Sequence, residues 1–171
     1  MLAASLSRGA KKIQQALAEK GLTLQVFELP DSTHTAVDAA KAIGCEEKQI
    51  VKSLLFRTEK TQAPVFVLAS GPNQVDLELI SAQVGETVIK ADAKFTKNTT
   101  GFSIGGVPPF AHKERAPYQF IDQALLNCDS IWAAAGSPRA VFNLNTEILL
   151  ELCPNAKPID FNPEAAATLR R

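Results

Sequence analysis

The chain has 171 residues, of which 46% are hydrophobic and 21% charged, a composition typical of a globular domain with a sizeable core. Lysine plus arginine and aspartate plus glutamate number 18 each, so the formal net charge is zero. Coating nucleic acid requires excess positive charge to displace counterions, so this balance excludes a general DNA or RNA coat and leaves a local basic patch. No apolar run approaches the ~20 residues of a membrane span, and residues 1–12 lack a signal-peptide core. We therefore expect a cytoplasmic protein without a role on membranes or DNA.

Apolar spacing and capping residues predict an irregular series of helices and strands. Leu6, Ala10, Ile13 and Leu17 recur at helical spacing and are followed by a glycine at 21. Strands are predicted at 22–29, 50–56, 64–69, 118–122, 130–136 and 140–144, and further helices at 33–44, 76–85, 92–101 and 146–153. The segment from residue 154 onward is rich in proline and alanine and is expected to lie over the surface.

The order of these elements favours one fold class over another. Strands and short helices do not alternate with the regular spacing of a doubly wound sheet. No GxGxxG or GxxxxGK[ST] motif occurs, so neither dinucleotide nor P-loop chemistry is indicated. We predict a single α+β domain over residues 1–171, with its core at about 22–153 and a mixed, strongly curved sheet.

The residues that most often bind metals are scattered along the chain. Cys45, Cys128 and Cys153 are far apart and form no CxxC motif, which argues against a zinc site and a disulfide framework. The two histidines, His34 and His112, stand without an organised set of carboxylates. We expect no metal and no cofactor.

Lys52 interrupts the apolar segment IVKSLLF. A lysine in a buried strand is costly unless it has a partner or reaches an opening. One interpretation places it on the solvent face of an alternating strand. The other places its ammonium at the rim of a pocket, where it can bind an anion such as phosphate. The pattern alone leaves both open.

The segment SIGGVPPFAH sets flexible glycines beside stiff prolines. Gly105 and Gly106 can direct backbone N–H groups into a pocket as a nest for an anion or an oxyanion. Pro108 and Pro109 would stiffen the backbone directly after that nest. The alternative is a sharp corner at which a strand ends.

Three further polar positions have both a functional and a structural interpretation. His112 is either a general base or substrate contact, or an exposed loop histidine, and His34 is equally ambiguous. Gly136 and Ser137 lie in the turn GSPR after an apolar strand. Ser137 lacks the GxSxG context of a nucleophile elbow, which favours a hydrogen-bonding or turn-forming serine.

Several segments together resemble the YbaK/ProX superfamily of prolyl-tRNA editing domains, the free-standing trans-editing aminoacyl-tRNA deacylases. They occur in family order and extend from about His34 to Leu152. The most specific combination is the lysine strand, the GGVPPF loop and the AAGSPR turn. The matching segments are HTAVDAAKAIG, IVKSLLF, VDLELISAQVG, TTGFSIGGVPPFAH, FIDQALL and IWAAAGSPRAVFNL.

The resemblance implies a mixed, barrel-like sheet surrounded by helices, and hydrolysis of the ester that joins a wrong amino acid to tRNA, typically the tRNA for proline. It implies neither a metal nor a covalent enzyme intermediate. Lys52 would contact the substrate near its terminal phosphate or amino group, and Gly105 and Gly106 would position the scissile carbonyl. Gly136 and Ser137 would line the same pocket.

The resemblance also bears on the amino acid that is removed. The cysteine-removing branch usually has serine where this chain has Ala134, and the alanine-removing branch usually has asparagine where it has Ser53. We therefore expect a small wrong amino acid: alanine, 2-aminobutyrate, serine or threonine. Pro108 and Phe110 would form an apolar side-chain pocket, with His34 and His112 as further substrate contacts.

The partners implied are mischarged tRNA, bound through its acceptor end, and prolyl-tRNA synthetase as a candidate. Candidate tRNA contacts near the glycine loop are Lys94, Lys97, Lys113 and Arg115, for which ordinary solvated charge is the alternative. Two other functions stay open on the sequence. One is a non-catalytic module that binds a nucleotide or the tRNA acceptor end, and the other is a hydrolase of another small activated ester.

Overall fold

The computed structural model describes residues 5–30 and 35–161, so the predicted contact His34 lies outside the described residues. The helices are α1 (Arg8–Glu19), α2 (Ala36–Ile43), α3 (Leu77–Val84), α4 (Ala93–Thr100), α5 (Gln123–Leu126) and α6 (Thr146–Leu152), with a 3-10 turn at Glu47–Gln49. The strands are β1 (Val26–Glu28), β2 (Val51–Thr58), β3 (Pro64–Ser70), β4 (Val88–Lys90), β5 (Tyr118–Asp122), β6 (Ser130–Ala134), β7 (Ala140–Asn145) and β8 (Lys157–Ile159).

Local side-chain hydrogen bonds determine where the helices begin. Thr35 Oγ1 accepts from the backbone N–H of Asp38 at the start of α2. Asp76 caps α3 and Asn145 caps α6 in the same way. Glycines with positive φ then end α2, α3 and α4, because only glycine enters the left-handed region without steric cost.

The strands form two sheets. One has the order β1-β7-β6 and the other β4-β2-β3-β5-β8. The larger sheet is mixed, since β2 pairs antiparallel with β3 and β4 while β3, β5 and β8 are parallel. An isolated bridge between Ile50 and Trp132 links the two sheets at the start of β2. The predicted α+β class is confirmed, although the described strands form two sheets rather than one closed barrel.

Several segments differ from the sequence prediction for identifiable reasons. The predicted strand 22–29 shortens to β1 because the Gln14 side chain takes the carbonyl of Leu24 and the N–H of Val26. The segment after residue 154 does not simply lie over the surface, because β8 pairs with β5 and buries Ile159. The short elements β4 and α5 were not predicted, since three or four residues carry too little periodic signal.

Strand β3 lies at the centre of the packing because it is buried on both faces. Phe66 and Leu68 face the larger core cluster, which includes α1, α6 and β7 residues. Val65 and Val67 face the smaller cluster beneath α3. The near-continuous apolar sequence of β3 follows from this double burial.

The glycine–proline segment folds inward instead of forming an exposed corner. The N–H of Gly106 donates to the carbonyl of Ser103 at 2.9 Å, which closes a turn with Gly105 at φ +89°. His112 Nε2 lies 2.6 Å from the carbonyl oxygen of Pro108. Cys153 Sγ donates to the carbonyl of Pro109 at 3.0 Å. Side-chain partners therefore satisfy both proline carbonyls inside the protein.

Three backbone segments pack against one another with no room for side chains. A Cβ atom at Gly9 would lie 2.1 Å from the carbonyl oxygen of Gly136. A Cβ atom at Gly106 would lie 2.8 Å from the backbone of Ser137. The N–H of Gly136 donates to the carbonyl of Gly106 at 3.0 Å. Helix α1, the glycine turn and the GSPR turn are thereby fixed relative to one another.

Gly9→Ala is expected to destabilise the protein, although glycine-to-alanine changes in helices usually stabilise by about 0.5–1 kcal/mol. Here the added carbon meets backbone that cannot move aside, so we expect a loss of about 1–3 kcal/mol in the free energy of unfolding. Denaturant unfolding measures it. An unchanged or more stable variant would contradict the close contact with Gly136.

Stability is also expected to depend on pH through His112. Burial lowers the pKa of its imidazole below the ordinary value of 6.5, although the bond to the Pro108 carbonyl acts in the opposite direction. The unfolded chain then binds the proton more readily than the folded chain. The free energy of unfolding should therefore fall as the pH drops below about 6.5. His112→Gln should show a shallower fall between about pH 7.5 and 5.5, and an unaltered slope would rule this out.

Candidate functional site

A cavity of about 680 Å³ opens between α2, the first half of β2, the β6–β7 hairpin and the glycine turn. This volume is in the range of small-ligand sites. Its walls are mainly apolar and include Ile50, Val51, Leu55, Val107, Ala133 and Val141. The polar or charged lining residues are Thr35, Glu47, Lys52, Ser53, Lys90, Thr96 and Trp132.

Four of the residues predicted for the site line this one cavity. They are Lys52, Ser53, Gly105 and Ala134, which come from three separate parts of the chain. Pro138 also lines it and directly follows the predicted turn residues Gly136 and Ser137. The tertiary fold thus brings the lysine strand, the glycine turn and the GSPR turn to a common space.

Other predicted residues are placed elsewhere. Phe110 is buried and packs edge-on against Phe142, and Pro108 is buried beside it. His112 packs edge-on against Phe66 with ring centroids 4.6 Å apart. None of the three is among the lining residues, because the segment turns into the core. Gly106 uses its N–H within the turn, so it does not offer that group to a ligand.

The Lys52 side chain is held in place at the cavity. Its Nζ donates to the backbone carbonyl of Asn73 at 2.5 Å. Burial lowers the pKa of the ammonium, while the carboxylates of Asp122 and Glu47 oppose that shift. The arrangement fits a partly desolvated cation with N–H groups left for an anionic or carbonyl ligand.

Asp122 organises the surroundings of Lys52, a role that no sequence motif predicted. This carboxylate is fully buried. Its Oδ2 accepts from Ser70 N and from Asn73 Nδ2, both at 2.9 Å, and its Oδ1 accepts from Ala124 N at 3.0 Å. Because it fixes Asn73, it also fixes the carbonyl that receives Lys52. The available signal was an acid at the end of the apolar strand YQFID.

The glycine turn presents backbone at the cavity. Gly105 is exposed, lines the cavity, and its N–H has no hydrogen-bond partner among the described residues. Its positive φ of 89° is a conformation that L side chains rarely adopt. A free N–H at a cavity wall can donate to a carbonyl oxygen or an oxyanion.

Ser53 has an unusual environment. Its Oγ is the one buried side-chain oxygen without a hydrogen-bond partner in residues 5–30 and 35–161. By contrast, Thr96 Oγ1 donates to the carbonyl of Asp92, and Thr35 Oγ1 caps α2. Ser53 therefore lines the cavity as a residue, while its buried hydroxyl has no partner in those ranges.

Basic side chains gather around Gly101, at the end of α4. Lys97 Nζ donates to the carbonyl of Gly101 at 3.2 Å. A carbon added at Gly101 would lie 4.0 Å from Lys12 Nζ and 3.8 Å from Lys113 Cβ. Lys12 also stacks over the Phe102 ring at 4.9 Å. We call Lys12, Lys97 and Lys113 the lysine cluster; Lys12 was not among the predicted contacts.

The other two predicted basic contacts are less closely grouped. Lys94 is exposed on α4. Arg115 reaches the side-chain amide of Asn155, whose oxygen accepts from the guanidinium. That pairing directs Arg115 toward the segment before β8, so the role of these two residues in binding tRNA stays a prediction.

An aromatic pair lies at the cavity, formed by the half-buried Trp132 and the exposed Phe27. Trp132 lines the cavity and lies 6.2 Å, centroid to centroid, from Phe27. Phe27 is 44% exposed, and Val37 on α2 is 42% exposed. Exposed aromatic faces of this kind can stack nucleobases.

Two general features of the described residues also bear on function. In residues 5–30 and 35–161, no three histidine, cysteine, aspartate or glutamate side chains are grouped to hold a metal. No helix in those ranges combines the length and hydropathy needed to cross a bilayer.

Several known proteins are similar to this chain in sequence or in structure. A protein of Bacillus subtilis (strain 168), called "Uncharacterized protein YwhH", is 30% identical over 128 residues, which cover 74% of this chain and 79% of the relative. The crystal structure of "a putative trans-editing enzyme for prolyl tRNA synthetase" matches with a TM-score of 0.84 at 43% identity, covering 91% of this chain and 98% of that one. The "hypothetical protein APE2540" shares the fold, with a TM-score of 0.75 at 24% identity over 87% of this chain and 97% of its own.

The family assignment rests on a match over most of the chain. Residues 30–152 match the sequence model of the aminoacyl-tRNA editing domain. That range contains the lysine strand, the glycine turn and the GSPR turn, whose residues meet at the cavity. The chain belongs to the aminoacyl-tRNA editing domain family.

Proposed function

We propose that this protein is an aminoacyl-tRNA deacylase that acts in trans in the cytoplasm and hydrolyses the ester of a mischarged tRNA. The expected tRNA is that for proline, carrying a small wrong amino acid. The observation that carries the proposal is the shared cavity of Lys52 and Gly105, which combines a held cation with a backbone N–H that has no partner in the described part of the chain. The name of the similar crystal structure supports the choice of tRNA.

The reaction needs modest assistance from the protein. Water adds to the ester carbonyl, and the bond from that carbon to the ribose oxygen breaks. The products are the free amino acid and a tRNA with its terminal hydroxyl restored. An aminoacyl ester is already activated, so orientation and stabilisation of the developing oxyanion can supply most of the acceleration. The N–H of Gly105 is suited to that oxyanion.

Lys52 acts in this proposal as a cation rather than as a base. One of its N–H groups is used by the Asn73 carbonyl, which leaves two for the substrate. These can bind the phosphate of the terminal nucleotide and draw the acceptor end into the cavity. The nearby carboxylates of Asp122 and Glu47 help to keep the ammonium charged.

Two further surfaces suit the rest of the acceptor end. The lysine cluster lies around Gly101 at the end of α4, where it can contact backbone phosphates. The Phe27–Trp132 pair, whose tryptophan lines the cavity, can stack a terminal base. A chain with zero net charge thus offers positive charge where the proposed ligand would approach.

We expect the cavity to accept small amino acids, because the residues that line it are mainly apolar and many have short side chains. Ala133 and Ala134 leave space, and Val51 and Val107 provide contact. One methylene in such a pocket gives only about 10–200-fold discrimination. Overlapping activity on several small amino acids is therefore expected.

Lys52→Ala should lower kcat/KM for deacylation by at least about a hundredfold, because it removes the cation that holds the substrate. Lys48→Ala is the matched control, since Lys48 lies four residues away and its side chain is 60% exposed. Its activity should equal that of the wild type. Single-turnover assays with a panel of mischarged tRNAs measure both, and full activity in Lys52→Ala would remove the assigned site.

Replacing all three residues of the lysine cluster by alanine should weaken the binding of tRNA whatever its sequence. It should also reduce the dependence of that affinity on salt concentration. Removing one lysine–phosphate interaction should reduce the slope of log K against log salt by about 0.7–0.9, so removing three should reduce it by about 2–3. Filter binding across a salt series measures the slope. Lys60→Ala, at an exposed position in the β2–β3 turn, is the control and should retain the wild-type slope. An unchanged slope in the triple variant would contradict this role.

A further inference from the structure

The buried hydroxyl of Ser53 has no evident structural purpose. Ser53 pairs with Leu68 across β2 and β3, and shares its strand face with Val51 and Leu55. All three neighbours are apolar. Among the described residues its Oγ has no hydrogen-bond partner, a state that destabilises the folded protein when the group is buried. A group of this kind in a ligand cavity indicates a partner that arrives with the ligand.

The hydroxyl can reach the cavity by a small movement. Ser53 as a residue is half-buried and lines the cavity, whereas its Oγ is turned away from the open space. No hydrogen bond holds Oγ in that position. Rotation about the Cα–Cβ bond to another staggered rotamer therefore exchanges Oγ with the part of the side chain that faces the cavity.

The other lining hydroxyls each already have a partner within the fold. Thr96 Oγ1 donates to the Asp92 carbonyl, and Thr35 Oγ1 accepts from the N–H of Asp38 at the N-terminus of α2. Ser53 has neither kind of partner among the described residues, so it can best compensate a polar group that loses its water in the apolar part of the cavity. Ser53 thus decides whether that part of the cavity favours a polar or an apolar side chain.

We infer that Ser53 is a specificity-determining residue that selects tRNA charged with a hydroxylated amino acid, serine or threonine. This inference rests on the proposed deacylase function and narrows its substrate class. The Ser53 hydroxyl pairs with the hydroxyl of the substrate side chain. The two isosteres in which a methyl group replaces that hydroxyl, 2-aminobutyrate for serine and valine for threonine, leave Ser53 unsatisfied.

The experiment compares deacylation of one tRNA carrying each of these four amino acids. The wild type should hydrolyse the seryl ester at least about tenfold faster, in kcat/KM, than the 2-aminobutyryl ester, and the threonyl ester faster than the valyl ester. Ser53→Ala should abolish or invert both preferences. Ser53→Thr keeps the hydroxyl and should keep the seryl preference. Ser5→Ala, the same chemical type of change at an exposed serine before α1, should leave all ratios unaltered.

The outcomes separate this inference from the function on which it rests. If the wild type hydrolyses none of a broad panel of aminoacyl-tRNAs, both fail. If it hydrolyses them without preferring the hydroxylated member of each pair, only the inference fails. A uniform loss for all four substrates in Ser53→Ala would also overturn it, because Ser53 would then contact the part they share. Thermal unfolding supplies a readout apart from activity. Ser53→Ala should be at least as stable as the wild type, and a marked destabilisation would show a structural role instead.

Discussion

The site depends on the hydrogen bonds that the buried carboxylate of Asp122 accepts. It lies at the end of β5 and accepts three N–H groups, from the end of β3, from the loop after β3 and from the start of α5. A buried carboxylate is tolerated only when hydrogen bonds replace its lost hydration. Asp122 therefore ties two strand ends and a helix into one arrangement. The Asn73 carbonyl, which receives Lys52, is fixed as part of it.

The two halves of the glycine–proline segment have different roles. Its second half is structural, since the carbonyls of Pro108 and Pro109 are bound by His112 and Cys153 and Phe110 packs in the core. Burial raises the pKa of the Cys153 thiol to about 12, so the thiol stays protonated and keeps donating. Only the first half reaches the cavity, at Ile104, Gly105 and Val107. Because the second half is packed and hydrogen-bonded, it can hold the exposed peptide group of Gly105 in a defined position.

The cavity combines features that would be costly in a core and useful in a binding site. It contains a partly desolvated lysine, an unpaired backbone N–H and an unsatisfied serine hydroxyl. The lysine and the N–H lie in a mainly apolar wall and the serine hydroxyl is buried within it, and electrostatic interactions are stronger there than in water. The positive charge outside is local, since the lysine cluster surrounds one glycine at the end of α4 while the chain has no net charge. In this proposal the lysine cluster attracts the tRNA, whereas the cavity selects the amino acid that the tRNA carries.

The sequence by itself determined the α+β class, most helix boundaries and the three segments that build the site. Capping residues such as Thr35 and helix-ending glycines such as Gly44 act through contacts within a few residues, so their effect can be recognised locally. The tertiary structure decided which side chains of those segments meet. Pro108, Phe110 and His112 looked like pocket residues but turn inward, because their hydrogen-bond and packing partners lie on distant elements. Asp122, Lys12 and Trp132 carried no recognisable local motif, and the orphaned state of Ser53 depends on neighbours supplied by another strand. The surroundings of these side chains are set by contacts between residues far apart in the sequence. The local spacing of residue types does not reveal such contacts.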